Sequence, residues 1–422
     1  MNSDQYNLTS LRVPTVLLLI WAGSFAARLV YWWFLIQPFH ELSGDALFYY
    51  DAAHSIAESL SYSSGGILTA SKPPAYPVFA GLIWKFFGDE KAVILLQYLF
   101  GVLSSLPLYL IARNYLNENK ASLVVLAYLI YPTTWFWESA FMSESLYVWL
   151  NNLFLFYIHR YMIKKNDLGL AAGSFWGAVS FLTRPSAIFP LGIVFLSLIY
   201  QNGFKRAHKI AAIWCCIFLF VISPWILRNY IVFSKFIPAS NSAGVTLYTS
   251  YVSWGYDMSI VNYLPEDRIT MASLDSETEK NKFLLKRTLH YLQKNPQKIF
   301  TLIPTKLKDY VHPFNGRWYP LSLGSKFNLF YGLLGSFAVL GFWWNRKANN
   351  NLLKLSFYFI IGAIISVVIF HGEIRYRFVL NPILFLLAGL CFVDQPSPEK
   401  KKIITTMILL NLSVWGIGLT IP

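Results

Sequence analysis

Apolar runs long enough to cross a bilayer recur from one end of this chain to the other, and no other feature constrains its fold as much. A helix needs roughly 20 mostly apolar residues to traverse a hydrocarbon core ~30 Å thick. Segments 12–37, 92–112, 121–137, 145–162, 168–183, 186–201, 209–227, 327–344, 353–370, 378–394 and 403–420 have that character, about eleven in all. Hydrophobic residues make up 55% of the 422 residues and charged residues 13%, against ~25% charged in a typical soluble domain. The expected fold class is therefore an all-α polytopic membrane protein with about eleven transmembrane helices, and soluble, fibrous and disordered folds are excluded. The first run, Leu11 to Ile36, is longer than the apolar part of a signal peptide and has no A-x-A-like cleavage site, so it reads as a retained span.

The net charge of +14 would raise nucleic acid as a partner in a soluble protein. Here the basic residues lie in short connections between apolar runs, where they set orientation, and no nucleic-acid partner is expected. With the N-terminus in the cytoplasm, the cytoplasmic loops hold Arg113 and Lys120; Arg160, Lys164 and Lys165; Lys205, Arg206 and Lys209; Arg346, Lys347 and Lys354; and Lys400 to Lys402. The opposite loop 138–144 has glutamates and no Lys or Arg. Counting Ala75 to Phe87 as a further span would put Arg160 to Lys165 and Lys400 to Lys402 outside. Its 13 residues reach only about 20 Å as a helix, so it reads as an interfacial helix. The lysines at 400–402 and the compact size fit a bacterial inner membrane.

Two hydrophilic regions then face outward, 38–91 and 228–326. They divide the chain into an N-terminal transmembrane module (1–227, spans 1–7), an outer loop with amphipathic helices (228–326) and a C-terminal module (327–422, spans 8–11). In the outer loop Leu285, Leu289 and Leu292 stand at helical spacing, and Asn295 before Pro296 is a candidate cap for a second helix. Lys282, Lys286, Arg287, Lys294, Lys298, Lys306 and Lys308 decorate this stretch, as on an interfacial helix or an ordinary solvated one.

Charged residues near spans are costly and informative. Those that orientation does not explain gather on the outer side: Asp45, Asp51, Lys72, Glu138, Glu144, Arg184, Arg228, Glu373, Arg375 and Arg377. A carboxylate there can act as a base toward an acceptor, and arginine or lysine can hold a phosphate. The plain alternative is a set of ion pairs at helix ends. Asp45, Tyr49 and Ala52 share one helical face, although Asp45 also suits an N-cap. Lys72-Pro73-Pro74 would hold the lysine rigidly at the membrane surface. Arg28 inside the first span either faces the bundle or snorkels outward. Glu373 and Arg377, four apart, have a helix-end pair as their alternative. Tyr131, Trp135 and Trp137 read as an interfacial belt. His40, His54 and His312 lack paired metal-ligand spacing, so no metal or other cofactor is expected. The cysteines Cys215, Cys216 and Cys391 lie inside apolar runs and suggest neither a disulfide framework nor a zinc site.

Taken in order, Gly44-Asp45 with Tyr49, Lys72-Pro73-Pro74-Ala75-Tyr76-Pro77 leading to Phe87-Gly88, Glu138 to Glu144, Thr183-Arg184-Pro185, Pro224-Trp225 to Arg228-Asn229, Asn295-Pro296 and His371-Gly-Glu373-Ile-Arg375-Tyr376 resemble the multi-spanning GT-C glycosyltransferases. The nearest branch is that of protein O-mannosyltransferases and aminoarabinose transferases. The resemblance implies a polyprenyl-phosphate-linked sugar donor, an extracytoplasmic site, and an acceptor lipid, glycan or protein. It implies Asp45 as catalytic base and Glu144, at the start of the fourth span, as a second catalytic carboxylate, with Glu138 a nearby candidate for that place. Lys72, Arg184, Arg228 and Arg375 would be phosphate ligands, and Tyr49, Tyr76, Glu138 and Glu373 would contact sugar or acceptor. The family often has Glu after the first-loop Asp; here Ala46 stands there, which argues against a metal-binding acidic pair. The acceptor hydroxyl would attack the anomeric carbon in line, inverting it. A transporter or flippase of the same lipid-linked sugar is the alternative, although the chain lacks the matching broken helices in two halves that such folds carry.

Overall fold

A computed structural model describes residues 13–36, 44–253, 263–313 and 327–420. Helices account for most of it, in the order the apolar runs suggest. The first run forms α1 (Thr15–Tyr31), followed in the chain by α2 (Gly44–Ser59). A two-stranded antiparallel hairpin comes next, β1 (Ser63–Ser64) with β2 (Ile67–Leu68), pairing Ser63 with Leu68. Helix α3 (Ala75–Phe87) covers the residues read as too short to span. It packs closely on α2: a Cβ at Gly81 would lie 2.6 Å from the Ile56 Cβ.

The bundle continues with α4 (Lys91–Leu103), α5 (Ser105–Ala112), α6 (Glu118–Leu129), α7 (Pro132–Glu138), α8 (Glu144–Lys164), α9 (Asp167–Thr183), α10 (Ile188–Gln201) and α11 (Gly203–Phe233). Two breaks have a proline cause. The residue before a proline avoids the helical region, so Tyr131 (φ −68°, ψ 114°) separates α6 from α7 and Arg184 (φ −146°, ψ 117°) separates α9 from α10. The single run expected over 121–137 is thus two helices. One large core joins both ends of the chain, from Leu17 and Val125 to Phe359 and Leu386.

Among the described residues five helices are long and apolar enough to cross a membrane: Thr15–Phe34, Lys91–Ala112, Gly203–Phe233, Asn351–Ile369 and Arg375–Phe392. The other expected spans are helical but shorter or more polar; α8, for instance, buries Asn151, Asn152 and His159. Their side chains bond across helices, Asn151 to Ser180 Oγ at 2.9 Å and Asn152 to the Ser104 carbonyl at 3.1 Å, so the buried amide nitrogens of both are partnered.

The second hydrophilic region holds α12 (Ala243–Tyr251), α13 (Pro265–Ala272), α14 (Glu277–Lys294), α15 (Gln297–Thr301) and α16 (Ile303–Val311). Helix α14 buries Leu284 and Thr288 against α12, whereas Leu289 is 51% exposed. Asn281 shares the Leu284–Thr288 face, and its Oδ1 accepts from the Gly244 N–H at 2.6 Å. Asn295 does not cap α15; its side chain donates back to the Tyr291 carbonyl and closes α14. Helices α17 (Leu329–Asn345), α18 (Asn351–Ile369), α19 (Asn381–Gly389) and α20 (Pro398–Thr420) complete the chain, with the 3-10 turn Ile374–Leu380 leading into α19.

Candidate active site

Asp45 lies in the first turn of α2, and its carboxylate is taken up by two cations from distant parts of the chain. Lys72 Nζ donates to Oδ1 at 2.7 Å and Arg375 Nη1 to Oδ2 at 3.0 Å. Arg375 also donates to the Glu373 carboxylate and to the Tyr376 hydroxyl. Asp45 and Lys72 are each 31% exposed at the side chain, so the cluster is open to a ligand. Beside it Arg184, turned out of α9 by the following proline, pairs with Glu144 at 2.6 Å and stacks over the Tyr376 ring at 4.9 Å. Ser143 joins the two groups, accepting from the Tyr49 hydroxyl at 3.3 Å and lying 3.5 Å from Arg184 Nη1. Tyr76 packs edge-on against Tyr49, with ring centroids 5.0 Å apart, and its hydroxyl bonds Gln97.

The structure therefore brings together Asp45, Lys72, Glu373, Arg375, Glu144, Arg184, Tyr49 and Tyr76. Acids and bases balance: Asp45, Glu144 and Glu373 face Lys72, Arg184 and Arg375. Burial alone would raise the Asp45 pKa. Lys72 and Arg375 more than offset this and hold it below the usual carboxylate range. Burial likewise opposes the Lys72 charge, yet Asp45 leaves the lysine pKa raised. The sign for Asp45 is that of a depressed acid: its ion pairs add stability above the ordinary pKa of about 3.9 and lose it as pH falls toward the lowered value. The expected result is a melting-temperature gap between wild type and Asp45→Asn that is constant from about pH 7 to pH 5 and closes only below about pH 4. Thermal unfolding across that range checks it.

Two expected site residues lie elsewhere. Glu138 is 2% exposed and accepts from Arg28 Nε at 2.6 Å, while Arg28, fully buried, also reaches the Leu129 carbonyl. Arg28 thus neither snorkels nor lines the cluster; it ties α1 to α7. Arg228 donates to the carbonyls of Thr69 (2.8 Å) and Tyr62 (2.9 Å), clasping the hairpin that precedes Lys72. Glu373 pairs with Arg375 and not Arg377, whose buried guanidinium donates to the His312 carbonyl at 2.6 Å and stacks over Tyr331. His54 sits against Glu58, and His40 lies outside the described residues. Among the described residues no group of three or more His, Cys, Asp or Glu is arranged to hold a metal.

The segment carrying Glu373 and Arg375 is docked onto the second hydrophilic region. His371 engages Ser250 Oγ through Nδ1 (2.8 Å) and Thr249 Oγ1 through Nε2 (3.3 Å), both on α12. Burial, with Lys306 and Arg375 nearby, pushes its pKa down to about 3, so it is neutral at physiological pH. A Cβ at Gly372 would lie 1.8 Å from the Lys306 carbonyl oxygen of α16, a contact that no side-chain rotation relieves. Gly372→Ala is therefore expected to pry the loop from α16, displace Glu373 and Arg375, and lower turnover ~100-fold, the scale of a 1 Å misplacement. Steady-state kinetics of the purified variant measures this. Sequence reasoning missed Ser143, Tyr376 and the α12 hydroxyls as partners; only Tyr376, beside Arg375, carried a local signal.

Residues 71–227 match the family of dolichyl-phosphate-mannose-protein mannosyltransferases. That stretch contains Lys72, Tyr76, Glu144 and Arg184 but not Asp45 or Arg375. The whole fold resembles ArnT from Cupriavidus metallidurans solved with undecaprenyl phosphate, at 15% identity and a TM-score of 0.61, covering 92% of this chain and 63% of that one. It also resembles the oligosaccharyltransferase AglB from Archaeoglobus fulgidus, solved with an inhibitory peptide and a dolichol phosphate, at 12% identity and a TM-score of 0.54, covering 96% of this chain and 55% of that one. The resemblance to the GT-C superfamily is thereby borne out, in fold over nearly the whole chain and in family signature over 71–227. The chain spans less than two thirds of the length of either solved relative. No curated protein matches it in sequence.

Proposed function

We propose that the protein is an integral-membrane glycosyltransferase that moves a sugar from a polyprenyl-phosphate-linked donor to an acceptor hydroxyl on the extracytoplasmic face of the membrane. The observation that carries the reading is the Lys72–Asp45–Arg375 bridge: a carboxylate at the start of a helix outside the spans, held by two cations that suit a phosphate. The solved relatives, with undecaprenyl phosphate or dolichol phosphate bound, support the donor class. The basic loops support the orientation, with the N-terminus inside and about eleven crossings.

The resting cluster also suggests an order of events. Asp45 is a weak base while Lys72 and Arg375 hold it. A donor phosphate competes for both cations. As they turn to it, the Asp45 carboxylate is released and its proton affinity rises toward the ordinary range. It then takes the proton of the acceptor hydroxyl as that oxygen attacks the anomeric carbon from the face opposite the phosphate. The carbon–oxygen bond to phosphate breaks, its electron pair leaves with polyprenyl phosphate, and Lys72, Arg375 and Arg184 stabilise the second negative charge. The anomeric carbon is inverted, and no covalent sugar–enzyme species forms. Arg228 and Glu138 shape the protein around the site without touching substrate.

The test is transfer of radiolabel by the purified protein from a panel of polyprenyl-phosphate sugars into membrane extract. Label entering product from one donor supports the reading and names the sugar. Donor binding without transfer to any extract favours a lipid-sugar transporter.

A further inference from the structure

We infer that Glu277, on the second outer region, is a positioning residue that sets the Lys72 contact to the donor phosphate; this rests on the proposed function. Glu277 opens α14, and its carboxylate reaches across to the first outer loop, where Oε2 accepts from Thr69 Oγ1 at 2.7 Å and Oε1 from the Ala70 N–H at 2.8 Å. The clasp is buried: Thr69 is 6% exposed and Ala70 is fully covered. The Ala70 carbonyl is held from the same region, accepting from the Asn241 N–H at 2.7 Å. Both backbone groups of Ala70 are thus fixed by residues more than a hundred positions away in sequence.

Lys72 lies two residues further on. Thr69 Oγ1 accepts from the Ser71 N–H at 3.0 Å, which stiffens the turn between them, and Pro73-Pro74 stiffen the chain on the far side of the lysine. From the other side Arg228 grips the Thr69 carbonyl, and the Tyr62 hydroxyl donates to the carbonyls of Lys72 (2.9 Å) and Pro73 (3.2 Å). The backbone leading to Lys72 is thus held by Glu277, Asn241, Arg228 and Tyr62. The carboxylate is the charged member on the Ala70 side, and a hydrogen bond to a charged acceptor is stronger than a neutral one. Removing it leaves Ala70 held through its carbonyl alone and loosens the segment that places the Lys72 ammonium against the phosphate.

The experiment compares wild type with Glu277→Ala and Glu277→Gln. It reads donor KM and kcat, and the Kd of radiolabelled undecaprenyl phosphate in detergent. The side-chain amide that Glu277→Gln introduces can still accept from Ala70 and donate to Thr69. Glu277→Ala is expected to raise donor KM and the Kd about tenfold, equivalent to 1.4 kcal/mol, with kcat within about twofold, and Glu277→Gln to restore most of the loss. A merely structural role would lower the active fraction, and hence kcat, and leave KM and Kd unmoved; that result overturns the proposal. An unchanged KM and Kd in Glu277→Ala, where Lys72→Ala raises both, overturns it as well and leaves the functional reading standing. Wild type that neither binds undecaprenyl phosphate nor transfers label overturns the functional reading itself, and the assignment with it.

Discussion

Asp45→Asn is expected to abolish sugar transfer, by 10²–10⁴-fold for the loss of a general base, while binding of the lipid phosphate is kept or strengthened. The two effects have opposite signs for one reason. In the wild type the carboxylate competes with a phosphate for Lys72 and Arg375. An amide leaves both cations without an anionic partner at that position, so they are freer to hold phosphate, but it cannot take a proton from the acceptor. A variant that was simply misfolded would lose binding too. Lys72→Ala should show the converse, with weaker binding and the base retained. Equilibrium binding of undecaprenyl phosphate, measured beside single-turnover transfer on the same preparations, separates the cases.

The second large effect falls on stability. Arg28 and Glu138 form a buried pair joining α1 to α7. Removing one partner of such a pair leaves an uncompensated buried charge and typically costs about 3–5 kcal/mol, whereas replacing both by apolar residues of similar volume is often neutral. Glu138→Ala alone is therefore expected to unfold the protein at markedly lower temperature. Arg28→Met with Glu138→Leu should return most of the stability and leave transfer intact, because neither residue touches the Asp45 cluster. Thermal unfolding in detergent of the single and double variants decides it. Activity lost in the double variant at full stability would put Glu138 back among the substrate contacts.

Particular residues indicate how far a sequence of this kind can be read. The apolar runs mark the helices, and the Tyr131–Pro132 and Arg184–Pro185 steps mark two breaks by an elementary steric rule. The second break also explains why Arg184 leaves its helix to meet Glu144. Asp45, Lys72 and Arg375 can be grouped through the order of short family-like segments, although Asp45 and Arg375 are 330 positions apart. Other placements depend on which way a helix faces. Glu138 and Glu144 stand six apart around one short loop; α7 turns the first toward α1, and the start of α8 turns the second toward Arg184. Nothing local distinguishes them. Arg228 has the sequence marks of a phosphate ligand, being basic and near a span end, but a hairpin more than 150 positions earlier takes it up. Glu277 carries no local signal at all, since its partners lie 207 and 208 positions away. Leucine spacing does not mark the face of α14 that packs on α12, which carries Asn281, Leu284 and Thr288.

The most direct measurement is a single-turnover reaction with a donor labelled twice, with ¹⁴C in the sugar and ³H in the polyprenyl chain, on protein reconstituted in liposomes with acceptor extract outside. Transfer at the Asp45 cluster predicts that the two labels part: carbon label moves to an acceptor product at a rate lost in Asp45→Asn, and tritium stays as polyprenyl phosphate. Labels that remain together, whether moved across the bilayer or not, would contradict a glycosyltransferase and leave a carrier of intact lipid-linked sugar.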